Sequence, residues 1–121
     1  MHGRLPDEFR RRTKRSAARI IRFYVVLPKN REEVRVLGKQ LLRSGTSVAA
    51  QVREASRARS ESEFVSKLGG AIQEADESIL WLELLREECQ VPATLTAELE
   101  KEFSELIAIL TTMIRRTNDN S

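Results

Sequence analysis

Five carboxylates in the middle of the chain are the first residues whose type and spacing could do chemistry. They are Glu54, Glu63, Glu74, Asp76 and Glu77. Carboxylates on facing helices can hold two iron ions, but such sites also use a Glu-x-x-His motif on two of the helices. The single histidine is His2, at the start of the chain. The pattern therefore predicts no metal site and no cofactor.

The same carboxylates alternate with basic residues, which favours ion pairing between the second and third predicted helices. Glu63 and Lys67 also have the four-residue spacing of an ion pair along one helix. The residues that we predict to form structural ion pairs are Arg43, Arg53, Glu54, Arg57, Glu63, Lys67, Glu74 and Glu77.

The candidate nucleophiles lack partners. Cys89 has no histidine or asparagine at a plausible place, and the hydroxyls of residues 44–47 have no base beside them. Those hydroxyls are expected to bond to carbonyls one turn earlier. Gly69-Gly70 lies within a helical pattern and follows no strand, unlike a phosphate-binding loop. We predict that the protein is not an enzyme.

Basic residues form the surface most suited to binding. Arg31, Arg35, Lys39 and Arg43 recur every four residues and predict a basic stripe on the second helix. Together with the run Arg10, Arg11, Arg12, Lys14 and Arg15, this stripe could follow a phosphate backbone. Two alternatives stay open: a solvated helix face partly neutralised by the acidic third helix, and contact with a membrane surface.

Composition indicates one domain spanning residues 1–121. Charge is unevenly distributed: residues 1–22 carry eight basic and two acidic residues, whereas residues 60–89 carry eight acidic and two basic ones. No apolar run is long enough to span a membrane, and the N-terminus lacks the apolar core of a secretory signal. With a single cysteine, these features predict a cytoplasmic protein.

Apolar residues recur at helical spacing over four segments, about 7–27, 31–57, 61–89 and 95–117, followed by a polar tail at 118–121 that we predict to be disordered. Pro28 and Pro92 stop helices, whereas Asn30, Ser60 with Glu63, and Thr94 or Thr96 are candidate N-caps. The first helix is expected to bury Phe9, Thr13, Ala17, Ile20, Tyr24 and Leu27.

The apolar pattern of the second helix passes through Gly45 without a change of phase, which favours one continuous helix; a break at Gly45 is the alternative. Small residues at 44–50 and at 69–70 predict sites where helices approach closely. Four helices with short connections favour an all-α, antiparallel, up-down-up-down bundle.

Two segments, residues 79–85 and 106–110, are more apolar than a bundle helix requires. Such surplus predicts a homo-oligomer, with Leu80, Trp81 and Ile109 at the interface. The alternative is an unusually wide buried stripe.

The segment 20–89 resembles the bacterial four-helix-bundle proteins of the 23S rRNA intervening-sequence family. The resemblance rests on Leu27-Pro28, Gln40-Leu41, Arg43-Ser44-Gly45-Thr46-Ser47, Glu54-Ala55, Phe64, Lys67-Leu68, Glu74, Glu77 and Trp81-Leu82. The chain departs from the family at Gln51, where the family often has asparagine. The resemblance implies an antiparallel bundle assembled as a ring-like homopentamer, with an undefined molecular function. The accessory protein of diversity-generating retroelements, which has a related fold, binds a reverse transcriptase and nucleic acid through a basic surface.

Two functional hypotheses follow. The first is a non-enzymatic oligomeric scaffold that engages RNA, DNA or a nucleic-acid enzyme, such as a reverse transcriptase, through its basic helices. The second is a purely protein-binding assembly factor without nucleic-acid contact.

Overall fold

The computed structural model describes residues 5–120, and within that range the chain forms four α-helices and no strand. The helices are α1 (Asp7–Val26), α2 (Glu32–Ser56), α3 (Glu61–Glu88) and α4 (Ala93–Asp119). The prediction of an all-α chain with four long helices is confirmed.

The last helix is longer than the sequence pattern indicates. It includes residues 118 and 119, which we expected in a disordered tail. The backbone N–H of Asn120 donates to the carbonyls of Arg116 and Thr117, at 3.1 and 3.3 Å, and so closes the final turn. His2 and Ser121 lie outside the described residues.

Helix α2 is continuous through Gly45, so the alternative of a break at this glycine is wrong. Gly45 is buried, and a Cβ atom added there would lie only 2.8 Å from Cγ1 of Ile20 on α1. The absence of a side chain therefore lets α1 approach α2 closely, which offsets the poor helix propensity of glycine, about 1 kcal/mol relative to alanine.

Each helix packs against its neighbours in sequence, and α4 closes back on α1 through the smallest of these contacts. Leu27, just after α1, contacts Gly38 near the start of α2, whereas Ile20 contacts Gly45 about two turns further along α2. The α2–α3 contact includes one buried polar pair, Ser44 and Ser78, with hydroxyl oxygens 2.8 Å apart.

The core is formed by one apolar stripe from each helix. On α1 the buried residues include Ser16 and Phe23, whereas Ala17 and Tyr24, which we expected in the core, are only half-buried. The shift by one residue brings Ser16 towards α4, where its hydroxyl is hydrogen-bonded.

The predicted helix caps are only partly present. Ser60 caps α3 by accepting a hydrogen bond from the backbone N–H of Glu63, at 3.0 Å. The Glu63 carboxylate accepts from the N–H of Arg59 rather than from that of Ser60. Asn30 and the two threonines are not caps, because α2 and α4 begin after Arg31 and Pro92 without a side-chain cap.

Candidate nucleic-acid interface

Three of the predicted basic residues on α1 have acidic neighbours on the same helix. Arg10 pairs with Asp7, while Arg11 and Arg15 lie 3.3 and 3.4 Å from Glu8. These arginines lower the pKa of Asp7 and of Glu8, chiefly through hydrogen bonds from Arg10 and from Arg11. Since these side chains are largely exposed except for Arg10, which is half-buried, an incoming anion could exchange with the carboxylates.

Arg12 is held more firmly, on the side of α1 that faces α4. Its Nε and Nη2 donate to both carboxylate oxygens of Glu102, at 3.0 and 2.8 Å, and Nη2 also reaches Glu105 at 2.8 Å. The Ser16 hydroxyl donates to Glu102 at 2.7 Å. The hydrogen bond from Arg12 to Glu102 is the main cause of the lowered pKa of Glu102 and of the raised pKa of Arg12. Arg12 therefore joins α1 to α4, and we remove it from the candidate interface.

The first half of the predicted stripe on α2 is also paired. Arg31 lies 2.9 Å from Glu33 and donates to the backbone carbonyl of Cys89 at 2.8 Å, which ties the start of α2 to the end of α3. Arg35 pairs with Glu32. The four-residue spacing thus does not produce a row of free cations.

The two remaining residues of that stripe differ: Arg43 has the predicted role in an ion pair, whereas Lys39 is available to a ligand. Arg43 lies 3.5 Å from Glu74 and 3.3 Å from Glu77, so it bridges α2 to α3. Lys39 is exposed and lies in no ion pair among residues 5–120.

The remaining predicted ion pairs are rearranged. Lys67 reaches across to Glu54 on α2, at 2.8 Å, instead of along α3 to Glu63. Glu63 is 3.6 Å from Arg59 in the preceding turn. The hydrogen bond that Lys67 donates to Glu54 is the main cause of the raised pKa of Lys67, and Glu63 adds a weaker charge interaction.

Cations without an ion-pair partner are concentrated on α1 and α2. Over residues 7–57, every carboxylate lies in an ion pair. Side chains there that are in no ion pair within the described chain, and donate to no backbone carbonyl, are Lys14, Arg19, Arg22, Lys39, Arg53 and Arg57. Helix α3 shows the opposite: Lys67 and Arg86 are paired, whereas Glu61, Asp76, Glu83 and Glu88 are not.

Three of the unpaired cations surround one surface pocket of about 610 Å³, which we call the basic pocket. Lys14 comes from α1, Arg53 comes from α2, and Arg57 is the residue that ends α2; the small side chains of Ala49 and Ala50 line the space between them. The other charged residues that line it are Arg10, Glu54, Glu63 and Lys67.

The sequence reasoning missed two parts of this surface. It placed Arg53 and Arg57 in structural ion pairs, although their four-residue spacing puts them on one face of α2. It also overlooked Arg19 and Arg22, which line shallower pockets beside α4. Their signal is the series of arginines at 12, 15, 19 and 22, with spacings of three, four and three.

The predicted interface residues differ in exposure. Leu80 is 44% exposed, whereas Trp81 and Ile109 are half-buried and pack against the core. Larger apolar exposure occurs at Val25 and Val26 on α1, at 69% and 62%, where the sequence analysis did not place an interface.

The candidate nucleophiles have structural contacts. Cys89 is buried, Ser44 bonds to Ser78, and the Thr46 hydroxyl donates to the carbonyl of Leu42 at 2.7 Å. Residues 5–120 contain no group of three or more metal-binding side chains that could hold an ion. None of the four helices is long and apolar enough to cross a membrane.

The chain is similar to a known protein family and to a solved structure. The family described as 23S rRNA-intervening sequence protein matches residues 8–112. A crystal structure of a protein of unknown function from the S23 ribosomal protein family of Bacteroides thetaiotaomicron is 35% identical, with a TM-score of 0.78. The match covers 87% of this chain and 96% of that one. No curated protein matches.

Proposed function

The chain belongs to the 23S rRNA-intervening sequence protein family, and we propose that it is a non-enzymatic oligomeric scaffold that binds RNA, DNA or a nucleic-acid enzyme through basic helix faces. The observation that carries this proposal is the unequal pairing of charges. All carboxylates of α1 and α2 are in ion pairs, while six cations of the same segment are not.

Unpaired cations matter because affinity for a polyanion comes from releasing the counterions that surround its phosphates. A cation already paired within the protein gains less, since it must first give up its carboxylate. Lys14, Arg53 and Arg57 therefore support the proposal more strongly than Arg31 or Arg35 of the predicted stripe.

Assembly belongs to the same proposal. The contacts of Leu27 with Gly38 and of Ile20 with Gly45 support an antiparallel, up-down-up-down order of helices. The exposed apolar side chains support a homo-oligomer, and the family resemblance favours a ring-like homopentamer in the cytoplasm. A ring would repeat each basic face in every subunit and so multiply a weak site by avidity. Sedimentation that shows only a 13.8 kDa species at micromolar concentration would contradict this part.

A second candidate function is a purely protein-binding assembly factor. The observation that favours it is the apolar exposure on α1, where Val25 and Val26 are available to a protein partner and have no use in binding phosphate.

Salt-titrated binding of a fluorescent single-stranded RNA and its DNA counterpart tests the proposal. Affinity should fall steeply with salt, by up to about 300-fold between 50 and 200 mM if all six unpaired cations contact phosphates of a single strand. Changing these six residues to glutamine should flatten the salt dependence. The control changes Lys101, Arg115 and Arg116, three unpaired cations of α4, and should alter it much less.

Binding that is unchanged in 0.5 M salt, or no binding to either polymer at low salt, would contradict nucleic-acid contact. The second result would favour the protein-binding alternative.

A further inference from the structure

We infer that the basic pocket is a phosphate-binding site, with Lys14, Arg53 and Arg57 as the residues that hold the phosphate. The inference deepens the proposed function by naming its point of contact, but the pocket could also take a free phosphate compound. The argument rests on the charges, the shape and the donor chemistry of this one surface.

Charge is unbalanced inside the pocket even after every local ion pair is formed. Its two carboxylates already have partners: Glu54 is 2.8 Å from Lys67, which also lines the pocket, and Glu63 is 3.6 Å from Arg59. Arg10, at the other edge, is paired with Asp7. Lys14, Arg53 and Arg57 thus contribute three positive charges that no carboxylate within residues 5–120 pairs with.

The three cations come from two helices that the fold holds at a fixed separation. Ile20 packs on Gly45, and about two turns away from that contact Lys14 of α1 lines the same pocket as Arg53 of α2 and Arg57, the residue that ends α2. Ala49 and Ala50 place no long side chain between the helices. A volume of about 610 Å³ leaves room for a phosphate together with part of the molecule that carries it.

The donor chemistry favours phosphate over a carboxylate ligand. Lysine and arginine only donate hydrogen bonds, so the pocket offers a surplus of donors that an acceptor-rich anion would satisfy. The three donor groups are carried by two segments of the chain: the ammonium group by α1, and the two guanidinium groups by the last turn of α2 and the residue that follows it. The tetrahedral oxygens of a phosphate match such an arrangement better than the two coplanar oxygens of a carboxylate.

The test is calorimetric titration of inorganic pyrophosphate at fixed ionic strength, with three proteins. They are the wild type, a pocket variant with Lys14→Gln, Arg53→Gln and Arg57→Gln, and a control variant with Arg19→Gln, Arg22→Gln and Lys39→Gln. Both variants lose three unpaired cations from α1 and α2, so their net charge is equal and only the position differs.

We expect the pocket variant to bind pyrophosphate at least about tenfold more weakly than the wild type, because charge-assisted hydrogen bonds are lost. The control should stay within about twofold, the change expected of exposed charges at a distance. A fourth protein, with Arg53→Lys and Arg57→Lys, keeps the charge but loses both planar donor groups, and its affinity should be intermediate. All of the changed side chains except Arg19, which is half-buried, are exposed, and urea unfolding of each variant verifies that the fold is retained.

An equal loss in the pocket and control variants would overturn the inference, since attraction would then be spread over the whole basic surface. Tighter binding of a polyglutamate peptide than of pyrophosphate would also overturn it. The same proteins are then titrated with single-stranded RNA. If the pocket variant loses pyrophosphate but keeps its RNA affinity, the phosphate site stands and its ligand is a free phosphate compound. If it loses both, the pocket is where nucleic acid binds.

Discussion

The two sides of α1 carry the same kind of residue in opposite states. On the side that faces α4, Arg12 donates to Glu102 and Glu105 and is only 29% exposed. On the other side, Lys14 has no ion pair and lies beside Arg53 and Arg57 of α2. One side is a junction between helices, and the other is an unneutralised basic surface.

The difference lies in the neighbouring helix rather than in α1. Residues two apart in a helix point in directions about 200° apart, so Arg12 and Lys14 necessarily meet different neighbours. Helix α4 offers acceptors at Glu102 and Glu105, whereas the end of α2 offers further cations. A run of basic residues therefore has no single role.

The largest effect that would sharpen this comparison is expected from Glu102→Gln. The change leaves the partly buried Arg12 and Ser16 without their charged acceptor, and we expect the free energy of unfolding to fall by about 2 kcal/mol. Urea denaturation measures it. Glu105→Gln is the matched control: Glu105 is 48% exposed and receives one hydrogen bond, so its loss should stay within about 0.5 kcal/mol. Equal effects would show that the two-pronged contact of Arg12 with Glu102 stabilises the α4 side no more than an exposed ion pair does.

A smaller effect is expected at the contact that sets the separation of α1 from α2. Gly45→Ala gains helix propensity but places Cβ 2.8 Å from the buried Ile20, so we expect a net loss of about 1 kcal/mol. Gly69→Ala meets nothing within 4 Å and should instead stabilise the protein by about 1 kcal/mol. Thermal unfolding of both variants measures these opposite changes in stability. Stabilisation by both would mean that Ile20 moves aside easily and that Gly45 does not fix the pocket.

The sequence was sufficient for the helices but only partly for their contacts. The spacing of apolar residues predicts where each helix lies, because the residues of one buried stripe must recur every three or four positions. Close approach was expected at Gly45 and at the pair Gly69-Gly70. Gly45 faces Ile20 and Gly70 faces the Gln51 amide, whereas Gly69 faces open space. Small residues mark where an approach is sterically possible, and the neighbouring helix decides where it occurs.

Charge roles were harder to predict for the same reason. Arg43 pairs with Glu74 and Glu77 across two helices, as the spacing suggested. Arg53 and Arg57 were expected to do likewise, but they lie in no ion pair among residues 5–120 and line a pocket together with Lys14 of α1. A long side chain reaches several neighbours, so its partner depends on helix rotation, which apolar periodicity fixes only to within about one residue.

The smallest effect, and the last test of the comparison, is the dependence of stability on pH. Arg12 holds the pKa of Glu102 below its ordinary value of 4.5, and Arg86 does the same for Glu100 through a hydrogen bond. A carboxylate whose pKa is lowered in the folded state stabilises the protein fully at any pH above the pKa that it has in the unfolded chain. That contribution is lost as the pH falls through the pKa of the folded state. Urea midpoints measured from pH 7 to pH 3 should therefore decline below about pH 4.5.

The decline should be shallower in Glu102→Gln, because this variant lacks the contribution of the Glu102 carboxylate already at neutral pH. The pocket variant should follow the wild type, because Lys14, Arg53 and Arg57 lie in no ion pair with a carboxylate among residues 5–120. A pocket variant that resists acid as well as Glu102→Gln does would show that the basic pocket is coupled to the carboxylates, and the two sides of α1 would no longer be distinct.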